Sequence, residues 1–213
     1  MHQSGLDIPV MNKKFSIGLI LVLIVGLGLA LAYAKYNRYL PTPKTASSNQ
    51  PFQAVLTEQE IDHIRQHQPI DHVQVFKAKR MVELLHQNQV IRRYDMRLGF
   101  DPIGHKVKEG DGKTPEGRYV LDWRNPNSQF YKSLHISYPN QQDKANAKAL
   151  GVSAGGDVMI HGSANHQQLK ALPQLMDYLP QKDWTWGCVA VRNVDMDEMW
   201  KLVDDGTPIT LYP

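Results

Sequence analysis

Cys188 is the only cysteine in a chain of 213 residues, and it stands between Gly187 and a short apolar run, Val189-Ala190-Val191. A second apolar run, Val158-Met159-Ile160, ends on His161 and is likewise followed by glycine, Gly162. Two such runs lying side by side as strands would bring a thiol and an imidazole together at their ends. A thiol needs a base or a cationic neighbour to act as a nucleophile at neutral pH, and histidine can be that base. The competing reading makes Cys188 a small buried hydrophobe and His161 a satisfied core histidine, since free cysteine is among the most buried residue types. The rest of the chain has to decide between them.

Other side chains carry two readings each. His135 lies in the strand-like run Leu134-His135-Ile136-Ser137-Tyr138 and either lines a cleft or packs. Arg192, close after the cysteine, either meets substrate carboxylates or, with Asn193, caps the next helix. Trp184 and Trp186 either wall a cleft or pack, and the Met196, Met199 and Trp200 cluster reads as core. His166 follows His161 by five residues, a poor spacing for two ligands on one helical face, and no thiol or carboxylate set lies nearby. No metal and no other cofactor is expected. Gly110-Asp111-Gly112-Lys113-Thr114 has the look of a phosphate loop, but Val107 stands where the first glycine must be. Pro115 and a strand then replace the required helix, so a nucleotide site is rejected.

The net charge of +3 divides into +4 for residues 1–50 and −1 for the remainder. A near-neutral domain lacks the basic field of a nucleic-acid binder, so nucleic acid is not an expected partner. Residues 15–34 hold twenty uncharged residues, FSIGLILVLIVGLGLALAYA, enough for a helix about as long as a bilayer core is thick. Lys13-Lys14 precede them, and Lys35, Tyr36, Arg38 and Tyr39 follow. Ala32-Tyr33-Ala34 would also suit signal cleavage, but the apolar stretch exceeds a signal core, which favours an uncleaved anchor.

The expected organisation is a short cytoplasmic segment (1–14), a transmembrane anchor (15–34), a linker (35–56) and a domain over 57–213 with its core at about 70–213. The linker contains the polar, proline-bounded stretch PTPKTASSNQP. Thr57 and Glu60 match a capping box for a helix that Pro69 ends. Strands follow from His72 to Leu98 with a turn at Gln87-Asn88, then a long loop from Gly99 to Gly117. Further strands are expected at 118–121, 134–138, 157–161, 188–191 and 208–212. Helices are expected at 141–150, 167–178 and 194–203. Short strands without regular βαβ alternation indicate a mainly β (α+β) domain.

These residues resemble a known family, the L,D-transpeptidase (YkuD) catalytic domain of bacterial cell-wall enzymes. The signature is His161-Gly162 followed by Thr185-Trp186-Gly187-Cys188, supported by Lys113-Thr114-Pro115-Glu116-Gly117 entering a strand. The resemblance covers roughly residues 70–213. Many members carry histidine where this chain has Trp186 and arginine where it has Ala190, and the His–Cys separation of 27 residues is longer than common. That describes a divergent branch.

The resemblance implies a β-sandwich with short peripheral helices behind one N-terminal transmembrane helix. It implies Cys188 as nucleophile and His161 as base, with Gly162, Trp186, Gly187, His135 and Arg192 as substrate or oxyanion contacts. The expected partners are peptidoglycan stem peptides and the membrane, and the protein is expected to be monomeric. It would sit in the inner membrane by a single pass, its domain facing the periplasm or wall. The expected activity is peptidoglycan L,D-transpeptidation. The alternatives are an L,D-carboxypeptidase or amidase acting on stem or wall-protein linkages, and a non-catalytic wall-binding module, which the coexistence of His161 and Cys188 disfavours.

Overall fold

The computed structural model describes residues 13–36 and 53–213, in two units, Met1–Asn37 and Arg38–Pro213. In the first unit, α1 (Lys13–Tyr36) runs for 24 residues, and every described side chain from Leu21 to Tyr36 is exposed. Those side chains begin inside the expected 15–34 span, and among the described residues no helix is long and apolar enough to cross a membrane. The proline-bounded part of the expected linker lies outside the described residues.

The second unit opens with α2 (Glu58–His67), started by the expected capping box. Thr57 Oγ1 accepts from the Glu60 N–H, and the Thr57 N–H donates to the Glu60 carboxylate at 2.7 Å. Eight strands follow: β1 (His72–Phe76), β2 (Met81–His86), β3 (Gln89–Asp95), β4 (Gly117–Ser128), β5 (Tyr131–Ile136), β6 (Met159–Gly162), β7 (Val189–Val191) and β8 (Thr207–Tyr212). Gln87 and Asn88 both take positive φ (50° and 64°), the geometry that lets a two-residue turn join β2 to β3.

The strands form one eight-stranded sheet in the order β3-β2-β1-β8-β4-β5-β6-β7, not two separate sheets. β1 and β8 are parallel, as are β6 and β7, and the other neighbours are antiparallel. Register shifts in β2–β3 and β4–β5 are the kind of bulge that bends and twists a strand. Bridges Arg97↔Ala190 and Gly99↔Thr185 tie the segment after β3 to β7 and its approach. The sheet thus curls until its two ends meet, which encloses a core as a sandwich would.

That core contains Val73, Val75, Val82, Leu84, Leu121, Leu134, Ile136, Ile160, Val189 and Val191, joined by Met196 and Met199 of α5 (Asn193–Leu202). Each such side chain contributes about 1.5–3 kcal/mol of transfer free energy. The remaining helices are short: α3 (Gln141–Ala149) and α4 (His166–Ala171), with a 3-10 turn at Pro173–Asp177. The helix expected over 167–178 is broken there because Pro173 has no N–H to donate and its ring crowds the preceding turn. The result is a mixed, sheet-dominated α+β fold with few helices.

Candidate active site

β6 and β7 run parallel with His161 beside Ala190 and Ile160 beside Val189. Continuing that register one step back sets Cys188 beside Met159. Residues in register share a face, and alternate residues along a strand do too. Cys188, Met159 and His161 therefore lie on one face of the sheet, the thiol and the imidazole one strand and two residues apart. The Met159 N–H donates to Cys188 Sγ at 3.4 Å, and the thiol donates to the Asp157 carbonyl at 3.6 Å. In this state the two side chains are each bonded to backbone and not to each other.

His161 is sealed in. Its ring stacks on Phe130 at 5.0 Å and meets the edge of Trp184 at 5.7 Å, and the residue is 5% exposed. Its Nδ1 lies 2.7 Å from the Gly162 carbonyl oxygen. A carbonyl can only accept, so Nδ1 carries the hydrogen and Nε2 is left with its lone pair. Burial drives the imidazole pKa down to about 4, against the opposing pull of the Gly162 carbonyl. Burial also pushes the Cys188 thiol up, opposed by the Met159 N–H and the Lys106 ammonium. Both shifts favour the neutral thiol–imidazole pair at rest.

The loop before the cysteine is fixed from within and from behind. Thr185 Oγ1 donates to the Cys188 carbonyl at 2.7 Å and accepts from the Gly187 N–H at 3.2 Å. Gly187 has φ +126°, and a Cβ there would stand 2.6 Å from the Lys113 carbonyl oxygen. The loop between β3 and β4 therefore packs directly against the backbone of the cysteine segment. That loop is stapled by the Lys106–Asp111 pair at 2.9 Å, both side chains buried. The buried Lys77 ammonium adds bonds to Gly104 O, Thr114 O and Glu116.

A match to the L,D-transpeptidase catalytic domain (YkuD) spans residues 70–211. The chain belongs to that family. The L,D-transpeptidase domain also has relatives by whole-sequence comparison. The putative L,D-transpeptidase YafK of Escherichia coli K12 is 28% identical over 156 residues, covering 67% of this chain and 53% of YafK. The chain thus spans about half the length of the curated relatives it matches. Two solved structures resemble it in fold. The helical cell shape determining protein Pgp2 of Campylobacter jejuni is 23% identical with a TM-score of 0.48, covering 68% of this chain and 48% of Pgp2. Bd1075 of Bdellovibrio bacteriovorus is 23% identical with a TM-score of 0.48, covering 69% of this chain and 49% of Bd1075.

Within this L,D-transpeptidase domain the expected site residues separate into two groups. His135 joins the cleft face, because β5 and β6 align Ser133 with His161 and His135 with Met159. Trp186 is 71% exposed and rests edge-on against Phe100 at 4.9 Å, at the rim. Gly187 borders the cysteine, but its N–H is already taken by Thr185. Gly162 lends its carbonyl to His161, and a Cβ on it would overlap Asn193 Oδ1.

Arg192 does not reach the cleft. It is 5% exposed, donates to Asp195 at 2.7 Å and pairs with Asp177, tying α5 to the 3-10 turn. A guanidinium with two carboxylates at hand is buried with them instead of facing substrate.

Phe130 escaped the sequence reading, Asn193 takes a role other than the expected cap, and Trp184 packs on the imidazole. Asn193 Oδ1 accepts from the Ser163 N–H (2.8 Å) and the Ala164 N–H (3.1 Å), so it holds the chain leaving His161 instead of capping α5. Phe130, whose carbonyl accepts from the Gly162 N–H at 3.1 Å, forms one wall of the imidazole box. Trp184 forms the other, and its buried indole N–H has no hydrogen-bond partner among the described residues.

Proposed function

We propose that this chain is a membrane-anchored peptidoglycan L,D-transpeptidase in which Cys188 is the nucleophile and His161 the general base. The observation that carries the reading is the Nδ1–H bond of His161 to the Gly162 carbonyl, which leaves Nε2 basic on the sheet face that Cys188 shares. Family membership supports peptidoglycan as the substrate class, and its stem peptides are the proposed substrate.

In the first half-reaction the Cys188 proton passes to His161 Nε2 as sulfur attacks the carbonyl of the L,D bond between the third residue and D-alanine of a tetrapeptide stem. Negative charge develops on the carbonyl oxygen, and backbone N–H groups around Cys188 stabilise it. The intermediate collapses, the C–N bond breaks, and D-alanine leaves with the proton held on His161. An acyl-thioester remains on Cys188. An amine from a second stem then attacks the thioester carbon, the C–S bond breaks, and the thiol re-forms as the crosslink is released. The raised thiol and lowered imidazole favour the neutral pair at rest, so proton transfer to His161 accompanies attack on the substrate.

Membrane attachment is part of the proposal. The residues of α1 described from Leu21 onward present leucine, isoleucine and valine in every direction, an arrangement suited to lipid and costly in water. The domain would then work on the outer side of the inner membrane.

The test is to incubate the full chain in detergent with tetrapeptide muropeptides and weigh the products. Dimers with loss of D-alanine support transpeptidation, and tripeptides alone mean a carboxypeptidase. A Cys188→Ala variant that keeps full activity would sink the nucleophile.

A further inference from the structure

β4 and β5 pair Leu121 with Ile136 and Arg124 with Leu134, so two residues of β4, Asp122 and Trp123, lie opposite one residue of β5, His135. This is a bulge, and bulges re-aim side chains beside functional sites. Both β4 side chains engage the same imidazole. Asp122 Oδ1 lies 2.6 Å from His135 Nδ1, and the Trp123 ring stacks on the imidazole at 4.7 Å and 16°. A carboxylate accepts, so Nδ1 carries the hydrogen and Nε2 holds the lone pair. His135 is thus oriented as a base by two groups that the cysteine mechanism leaves unused.

Its position is as specific as its orientation. His135 is in register with Met159, and Met159 with Cys188, so the three form one row across β5, β6 and the start of β7. Two strand spacings, about 10 Å between backbones, separate the imidazole from the thiol. Met159 stands between them on the same face, so an acyl-thioester and an incoming group would lie across that side chain. The two histidines also differ in access. His161 is closed in by Phe130 and Trp184. The His135 side chain keeps 12% of its surface exposed, and Asp122 and Trp123 beside it are each 41% exposed, Asp122 by its side chain.

We propose that His135, positioned by Asp122 and Trp123, is the base that prepares a primary-amine acyl acceptor for attack on the Cys188 thioester. The inference rests on the acyl-thioester reading above and assigns the acceptor side of the site. An amine acceptor arrives at neutral pH as an ammonium ion and cannot attack in that form. Asp122 attracts the cation, and His135 Nε2 takes one proton from it. The freed nitrogen lone pair forms the bond to the thioester carbon, and the C–S electron pair leaves with sulfur. The second nitrogen proton passes through His161 to the thiolate, and His135 returns its proton to solvent. Water needs no such first deprotonation and gains less from the pair.

The test separates the half-reactions. The full chain in detergent is acylated with a tetrapeptide stem, followed by D-alanine release and the mass of the Cys188 adduct. It is then chased with buffer alone or with a stem bearing a free amine. In His135→Gln, acylation stays within roughly threefold of wild type while aminolysis falls on the order of a hundredfold, as for loss of a general base. Hydrolysis changes little, so products shift from crosslink to hydrolysed stem.

Asp122→Asn, at a half-exposed position where folding is not at stake, moves the partition the same way, and Asp122→Glu restores part of it. An aminolysis-to-hydrolysis ratio equal to wild type in both His135→Gln and Asp122→Asn overturns the proposal, as does an equal loss of acylation and aminolysis. A wild-type protein that never forms the thioester instead overturns the underlying function.

Discussion

The Nδ1–H of His161 donates to the carbonyl of Gly162, the next residue in the chain, at 2.7 Å. The imidazole is therefore oriented by its own strand. Burial sets its charge, with a pKa of about 4 against the ordinary 6.5. Between those values the unfolded chain binds a proton that the folded one does not, so stability falls as pH drops from about 6.5 to 4. The full effect is ~3 kcal/mol. Buried Asp195, raised to about 6, slopes the other way over much of this range, so the His161 contribution is read as the difference between wild type and His161→Gln in urea unfolding. Alkylation of Cys188 should keep rising with pH through the ordinary thiol range, because burial lifts its pKa.

Asn193 is fully buried and joins α5 to the turn after His161 through Ser163 and Ala164. Asn193→Ala leaves two backbone donors without their acceptor and should cost about 2–3 kcal/mol. Turnover should fall with it, as the chain that orients the imidazole loosens. Unchanged denaturant midpoint and rate would contradict the clamp.

Gly187→Ala meets two obstacles, φ of +126° and a carbonyl 2.6 Å from the new Cβ. The loop can admit it only by shifting Cys188. Turnover is expected to drop roughly a hundredfold, since displacement of about 1 Å can do that. Stability should fall by about 2 kcal/mol. A near-wild-type rate would mean the loop has slack.

Trp186→Ala should leave stability within about 0.5 kcal/mol, because the ring is 71% exposed and touches mainly Phe100. If the ring walls the substrate cleft, KM rises about tenfold with kcat preserved, the sign of lost uniform binding. An unchanged KM removes Trp186 from the cleft.

Arg192→Met should destabilise by about 3–5 kcal/mol through the carboxylate it strands. Asp195, 1% exposed, already has its pKa raised to about 6 by burial. Lowering the pH to 5 should recover part of the loss as that carboxyl is protonated. A variant whose only defect is a raised KM would restore the substrate-contact reading.

The thiol and imidazole were legible because each ends an apolar run next to a glycine, a pattern that survives without knowing which strands pair. The hairpin at Gln87-Asn88 and the capping box at Thr57 were legible because turns and caps depend on local chemistry. Asp122 and Trp123 were not, because a bulge is a mismatch between two strands and leaves no period in either. Arg192 was misread because its partners, Asp177 and Asp195, become neighbours only when α5 packs on the 3-10 turn. Asn193 looked like a cap since asparagine so often is one. Its side chain instead serves the turn after β6, thirty residues earlier.

β8 follows every site residue in the chain, yet in the sheet it lies between β1 and β4. Without residues 207–212, strands β1–β3 and strands β4–β7 would be joined within the sheet only through the bridges Arg97↔Ala190 and Gly99↔Thr185. The brace behind Cys188 therefore depends on a strand that does not touch it.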